Sequence, residues 1–276
     1  MTIIDAQIHV WNPDLPSRPW PPGRAAYAHG RSLGAEEVLR VMDGAGVARA
    51  VLVPPSWIGD DNSDALTAAR AHPDRFAVMG RFDPTAPGAE GRLRRWLSEP
   101  GMLGIRLTFH LPAWQAWLGD ASLDWFWAAA GQAGVPLMVF VPGQAPALAP
   151  IAARHPRLRL ILDHLARPGA LKDDAAFEDI DHVLALAKFP NVAAKVSALP
   201  CYSSEPYPFP RLHSHIRRVY DAFGSRRMLW GTDYSRLTCP YADAIRLFTD
   251  ALDFLSTGDR EWIMGRATAE WIGWRI

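Results

Sequence analysis

Eight short apolar runs rich in β-forming residues recur along this 276-residue chain, and each is followed by a stretch with helical periodicity. The runs are Ile3–Val10, Arg49–Val53, Phe76–Gly80, Gly104–Leu107, Pro136–Val141, Leu158–Leu162, Val192–Val196 and Met228–Trp230. They are nearly continuous in their apolar residues, the pattern of strands covered on both faces by crossover helices. The spacing predicts helices over Ala35–Ala45, Asp64–Ala71, Ala89–Leu97, Leu123–Gln132, Ala147–Arg154, Phe177–Lys188, Leu212–Phe223 and Ala242–Leu255, with a last one near Asp259–Trp271. Eight strand–helix units make an α/β chain with the count of a (β/α)8 TIM barrel, here with a C-terminal helix. The length suits one such domain over 1–276, and no linker or low-complexity segment divides it. A doubly wound open sheet would need a Gly-rich phosphate loop after its first strand; here the strand runs out in His-Val-Trp-Asn-Pro. The Pro-rich stretch Asn12–Gly23 reads as a long loop.

Formal net charge is zero and no basic stripe appears, which argues against nucleic acid and anionic membrane as partners. From Trp125 to Ala153 there is no charged residue, a length that could span a bilayer. Seven glycines and prolines punctuate it, so it reads as helix, buried strand and helix in a water-soluble core. Cys201 and Cys239 fit no disulfide framework or zinc-knuckle spacing, and the N-terminus lacks the pattern of a signal peptide; both point to the reduced cytoplasm. A small-molecule substrate is the expected partner, and a homo-oligomer stays open.

In a barrel of this kind, catalytic side chains stand at the C-terminal ends of the strands. Strand alternation puts Asp5, Gln7 and His9 on one face of the first strand. Arg106 ends the fourth strand with His110 just beyond, Asp163-His164 end the sixth, Lys195-Val196-Ser197 the seventh, and Gly231-Thr232-Asp233-Tyr234 the eighth. Polar groups at the ends of apolar strands are costly unless paired, hydrated or used. The bland readings are a satisfied structural histidine for His9, an ion-pair anchor for Arg106 and a snorkelling Lys195. His72, His155 and His182 fall on helices or their ends and read as surface or capping residues; both cysteines read as inert thiols. Trp11, Trp57, Trp114 and Trp117 fall in rim loops, where they either wall a substrate pocket or pack the loops.

The segments IIDAQIHVW, AGVARAVLVPPSW, AHPDRFAVMGRFDP, GIRL, LILDHLARP, FPNVAAKVSAL and RMLWGTDY, in this order along the whole chain, resemble the amidohydrolase-2 family of TIM-barrel hydrolases. Within it the chain is most similar to the lactonase-like branch, which includes sugar-lactone and pyrone-dicarboxylate lactonases. The resemblance implies roles. The family's first strand carries Asp-x-His-x-His; here Gln7 stands for the first histidine and His9 matches the second. His164 matches the strand-six histidine and Asp233 the strand-eight aspartate, while the strand-five histidine is missing from Leu-Met-Val-Phe-Val. His9, His164 and Asp233 are thus both the expected catalytic residues and the expected ligands of one divalent metal, zinc or manganese. The loss of two ligands leaves a metal-free mechanism equally open. Lys195, Arg106, Gln7, Trp57, His110 and Tyr234 are expected to bind substrate, with Arg106 suited to a carboxylate. No G-x-S-x-G elbow occurs, which argues against a serine hydrolase. The expected activity is hydrolysis of a small carboxylated or aromatic lactone or ester by water attack, with Asp233 as general base. A metal-dependent decarboxylase of an aromatic or unsaturated acid is the alternative, and a non-catalytic binding barrel the second.

Overall fold

The protein is described by a computed structural model covering residues 1–22 and 31–275. Its strands are β1 (Ile4–Ile8), β2 (Arg49–Leu52), β3 (Phe76–Arg81), β4 (Met102–Thr108), β5 (Leu137–Phe140), β6 (Leu160–Leu162), β7 (Val192–Ser197) and β8 (Met228–Gly231). They pair in sequence order, each neighbour parallel to the last. β8 returns to β1, where the Asp233 N–H donates to the Gln7 carbonyl at 2.9 Å. The fold is the expected (β/α)8 barrel. β4 is longer than the sequence suggests, so Arg106 lies inside a strand instead of ending it.

The apolar runs fill two layers. Val51, Val53, Met79, Met138, Ile161, Ala193 and Leu229 pack inside the barrel with Ala6. Ile8, Leu52, Ile105, Leu107 and Leu137 face the outer helices. Each such aliphatic side chain contributes roughly 1.5–3 kcal/mol when fully buried. The helix Ala35–Ala45 shows how the outer layer is read from sequence. It buries Val38, Leu39 and Met42 on one stripe and stops at Gly46, whose φ of 72° suits glycine.

The last helical stretch starts on a Ser256/Asp259 capping box at Thr257–Glu261 and runs through a π-helical turn, Trp262–Arg266, into Ala267–Ile272. The π turn presses on the N-terminus: a Cβ on Gly265 would sit 2.1 Å from the Thr2 carbonyl oxygen. Trp271 and Ile272 join the interior cluster. Arg159 and Arg49 donate to the carbonyls of Glu270 and Arg275, and the Trp271 indole N–H to that of Arg226. Those partners lie at the starts of β6, β2 and β8, so the C-terminal segment closes the N-terminal mouth and leaves the other for the site. The expected helix Ala242–Leu255 is instead Tyr241–Arg246 followed by a π turn, Leu247–Ala251. The Pro-rich loop is irregular through Pro22, and Gly23 lies outside the described residues. No described helix is long and apolar enough to cross a membrane, the 125–153 stretch included.

One expectation for β1 fails for a specific reason. Asp5 pairs with Ala50 but Ile8 with Leu52, so three steps on β1 oppose two on β2. This bulge turns Ala6 and Gln7 both inward and re-aims the residues that follow. Asp5 is left on the opposite side from Gln7 and His9, in the seam between β1 and β8. Its carboxylate accepts from the Gln7 and Thr232 N–H groups (2.9 Å each), the Thr232 hydroxyl and the Tyr241 hydroxyl (2.7 Å). It stitches the barrel shut. Gly231 permits this, since a Cβ there would come within 3.1 Å of the carboxylate. Asp5→Ala strands four donors, each worth about 1–3 kcal/mol when buried and unpaired, and is expected to cost at least about 3 kcal/mol by denaturant titration.

Burial pushes the Asp5 carboxyl up to about 6 from its ordinary 3.8, against the pull of those four donors. The folded value exceeds the unfolded one, so this contribution to stability is full below about pH 4 and is lost as pH rises through about 6. Relative to Asp5→Asn, the native chain is therefore expected to lose about 2 kcal/mol between pH 4 and pH 7. Equal loss in both proteins on chemical denaturation would show that Asp5 does not titrate.

Candidate active site

A cavity of about 510 Å³ opens at the C-terminal mouth. β1 delivers Gln7 and His9, β4 Arg106 and Thr108, and β5 Phe140. His164 follows β6, Asp233 and Arg236 follow β8, and His110 and Trp57 come from loops. Trp57 packs edge-on against Trp11 and Trp20, with ring centroids 5.9 and 5.8 Å apart, so one wall is aromatic.

His164 and Asp233 are placed by unusual backbone. His164, Leu165 and Ala166 have φ of 51°, 52° and 54°, and Asp233 has φ of 53°. Left-handed backbone costs a non-glycine residue roughly 1–2 kcal/mol, so surrounding contacts must hold it. Neighbours on a regular strand point to opposite faces. The turn after β6 escapes that rule, so that Asp163 points into the barrel while His164 reaches the cavity.

Asp233 is the centre of the site. Its Oδ1 lies 3.0 Å from His9 Nε2, and its Oδ2 lies 3.7 Å from His164 Nε2 and 3.6 Å from Arg236 Nη1. Burial alone would raise this carboxyl, but His9, His164 and Arg236 outweigh it and hold the group well below the usual carboxylate range. Burial also drives His164 down to about 3, against the pull of Asp233 and Asp163, so its ring is neutral at neutral pH. The Ser197 hydroxyl lies 2.8 Å from His164 Nδ1 and fixes the ring.

Below this centre lies a buried charge network. Lys195 Nζ is 2.6 Å from Asp163 Oδ1, and Arg106 Nε donates to Asp163 Oδ2 at 2.9 Å. Lys195 also donates to Gln7 Oε1 at 2.5 Å. That bond fixes the Gln7 amide, whose Nε2 then faces His9 Nε2 at 3.4 Å. Two cations share one carboxylate, so the cavity floor is electropositive. Burial lowers Lys195 and raises Asp163; the Lys195 and Arg106 charges more than reverse the effect on Asp163, which stays ionised.

Gln7, His9, Trp57, Arg106, His110, His164 and Asp233 thus line one cavity, as the sequence suggests. Two of the expected substrate contacts do not line this cavity. Lys195 is fully buried beneath the cavity and reaches Gln7 and Asp163 instead of its wall. Tyr234 is turned away by the left-handed Asp233 and packs on Tyr241, with ring centroids 5.6 Å apart. Arg236 was missed for the same reason, because the turn brings the third residue after Asp233 back to the cavity. Phe140 was also missed: β5 puts an aromatic ring on the wall, 5.4 Å from the His164 ring. Trp114 and Trp117 line a different, smaller cavity. Both cysteines are free thiols pushed up by burial, consistent with inertness.

Among the described residues, no group of three His, Cys, Asp or Glu side chains is already arranged as a metal site. Yet His9 Nδ1 donates to the Val53 carbonyl at 2.5 Å, which leaves the Nε2 lone pair facing Asp233 Oδ1. That oxygen is buried and has no hydrogen-bond partner. Two acceptors 3.0 Å apart call for a proton on His9 or a cation beside both. A histidine that gives its other N–H to a backbone carbonyl is also the usual arrangement of a metal ligand. The residues fit a divalent ion held by His9, His164 and Asp233.

The protein is thus a (β/α)8 barrel with three histidines, an aspartate and two arginines lining the cavity at its C-terminal mouth. The sequence matches the amidohydrolase family model over residues 4–274, and the chain belongs to that family. It is 30% identical over 248 residues to the L-fucono-1,5-lactonase of Burkholderia ambifaria, covering 87% of this chain and 83% of the relative. A crystal structure of an amidohydrolase from Burkholderia multivorans with bound zinc superposes with a TM-score of 0.83 at 22% identity, over 99% of each chain. A probable 2-pyrone-4,6-dicarboxylic acid hydrolase from Acinetobacter baumannii, with citric acid bound, gives 0.77 at 20% identity, over 99% of this chain and 100% of that one. The 5-carboxyvanillate decarboxylase of Sphingomonas paucimobilis gives 0.73 at 16% identity, over 99% of each. These three share the fold.

Proposed function

We propose that the chain is a hydrolase that opens a small lactone or related carboxylic ester carrying an acid group or an aromatic ring. The observation that carries this reading is Asp233 at the cavity floor, ionised, with Oδ1 free of any hydrogen-bond donor and two histidines beside it. The lactonase relative supports ester chemistry.

Hydrolysis runs through a tetrahedral oxyanion. Asp233 takes the proton of the attacking water as the new C–O bond forms, and returns it to the alkoxide when the ring C–O bond breaks. Arg236 supplies positive charge on the cavity wall where the oxyanion develops. Lys195 keeps Gln7 oriented and adds to the field from below. A divalent ion held by His9, His164 and Asp233 would make a water more acidic and polarise a carbonyl. The bound zinc of the Burkholderia multivorans structure favours zinc as that ion.

Arg106 spends its Nε on Asp163, and its terminal nitrogens have no protein acceptor among the described residues. They are placed to grip a substrate carboxylate. Arg106→Ala is expected to raise KM for carboxylated lactones about tenfold or more with a smaller change in kcat, since a charge-assisted pair is worth about 1.5–3 kcal/mol. Turnover in water enriched in ¹⁸O tests the hydrolytic step itself. One label per product, in the new carboxylate, is expected; unlabelled product would rule out attack by water.

A further inference from the structure

Arg81 ends β3 and is the register partner of Arg106 on β4. Arg106 has Asp163 as its counter-ion; among the described residues Arg81 has no ion-pair contact. It is only 5% exposed, and the single described hydrogen bond of its side chain runs from Nη1 to Thr108 Oγ1 at 2.8 Å. Its Nε is buried without a partner. A buried cation without a counter-ion is costly, and a second arginine beside it makes matters worse. Burial and the neighbouring Arg106 charge lower the Arg81 guanidinium to about 10, with Asp60 only partly offsetting them.

The side chain lines a cavity of about 240 Å³ beyond Thr108, whose hydroxyl stands between this space and the catalytic cavity. The Trp114 ring covers the guanidinium, its centroid 5.4 Å from Cζ, and Trp117, Phe82 and Leu107 add apolar wall. With Nη1 committed to Thr108 and Nε enclosed, Nη2 is the group left to offer N–H donors to a carboxylate. We infer that this cavity is an anion-binding site for a planar monocarboxylate on a small ring, with Arg81 as its anchor and Trp114 as its platform. Asp60 and Asp83 also line the space, and their charge disfavours a dianion such as phosphate. The site does not depend on the hydrolytic reading. Its occupant is either a separate small acid or the far end of a substrate that passes Thr108.

Calorimetric titration with benzoate and with inorganic phosphate tests it. Benzoate is expected to bind with Kd on the order of 1 mM, as its few heavy atoms allow, and phosphate far more weakly. Arg81→Gln should weaken benzoate about 30-fold, Arg81→Lys less, and Arg106→Gln by no more than about threefold. Arg81→Gln should also unfold no earlier on heating than the native chain, because it removes an unpaired buried charge; an arginine that merely braces the fold would behave oppositely. A lactone that the protein turns over competes with benzoate if the acid group belongs to a substrate, and leaves its affinity unchanged if a separate acid binds. Equal benzoate affinity in Arg81→Gln and the native chain, no benzoate binding at about 50 mM, or a preference for phosphate would each overturn the assignment.

Discussion

Asp233→Asn is expected to lower kcat for lactone hydrolysis by about 10³-fold or more while leaving the barrel folded. A positioned base contributes about 10²–10⁴, and the same substitution removes the negative charge around which His9, His164 and Arg236 are arranged. The fold should survive for a local reason. Residue 233 sits at φ 53°, and asparagine is among the few residues that enter left-handed backbone easily. Its amide can also donate to the His9 Nε2 lone pair. The check is steady-state kinetics beside a thermal melt. A melt within a few degrees of native, with turnover retained, would remove Asp233 from the base role.

The largest stability effect is expected at Asp163. Asp163→Ala leaves Lys195 and Arg106 facing each other in the barrel without an anion. Removing one partner of a buried ion pair costs about 3–5 kcal/mol, a large share of the 5–15 kcal/mol that holds a domain together. Lys195→Met in the Asp163→Ala background removes one of the two stranded cations and should restore part of the loss. That rescue separates the charge account from simple loss of packing, because the double variant buries fewer polar groups than the single one. A double variant less stable than the native chain by the sum of the two single effects would contradict it.

The strands were legible because their apolar runs are bounded by turns and fully covered; all eight stand where the sequence puts them. The lining of the cavity was legible at Gln7, His9, His164 and Asp233, because strand-end placement is a rule of the architecture. What escaped was decided by single backbone steps. The β1 bulge separates Asp5 from Gln7 and His9, and alternation carries no sign of an inserted residue. The left-handed Asp233 exchanges Tyr234 for Arg236 at the cavity. Lys195 looked like a substrate contact because its charge was visible, but its depth in the barrel was not. Trp114 and Trp117 are expected in rim loops with Trp57, but the fold of those loops places them in the cavity of Arg81 instead.

Hydrolysis and decarboxylation start from similar barrels, and a decarboxylase stands among the structural neighbours. Their products differ in a way one assay reads. A panel of sugar, pyrone and aromatic lactones, titrated in a pH-stat with carbon dioxide trapped from the same vessel, tests the central claim. The account predicts one equivalent of acid released per ring opened and no carbon dioxide. Carbon dioxide evolved from carboxylated members of the panel, with the rings intact, would contradict it.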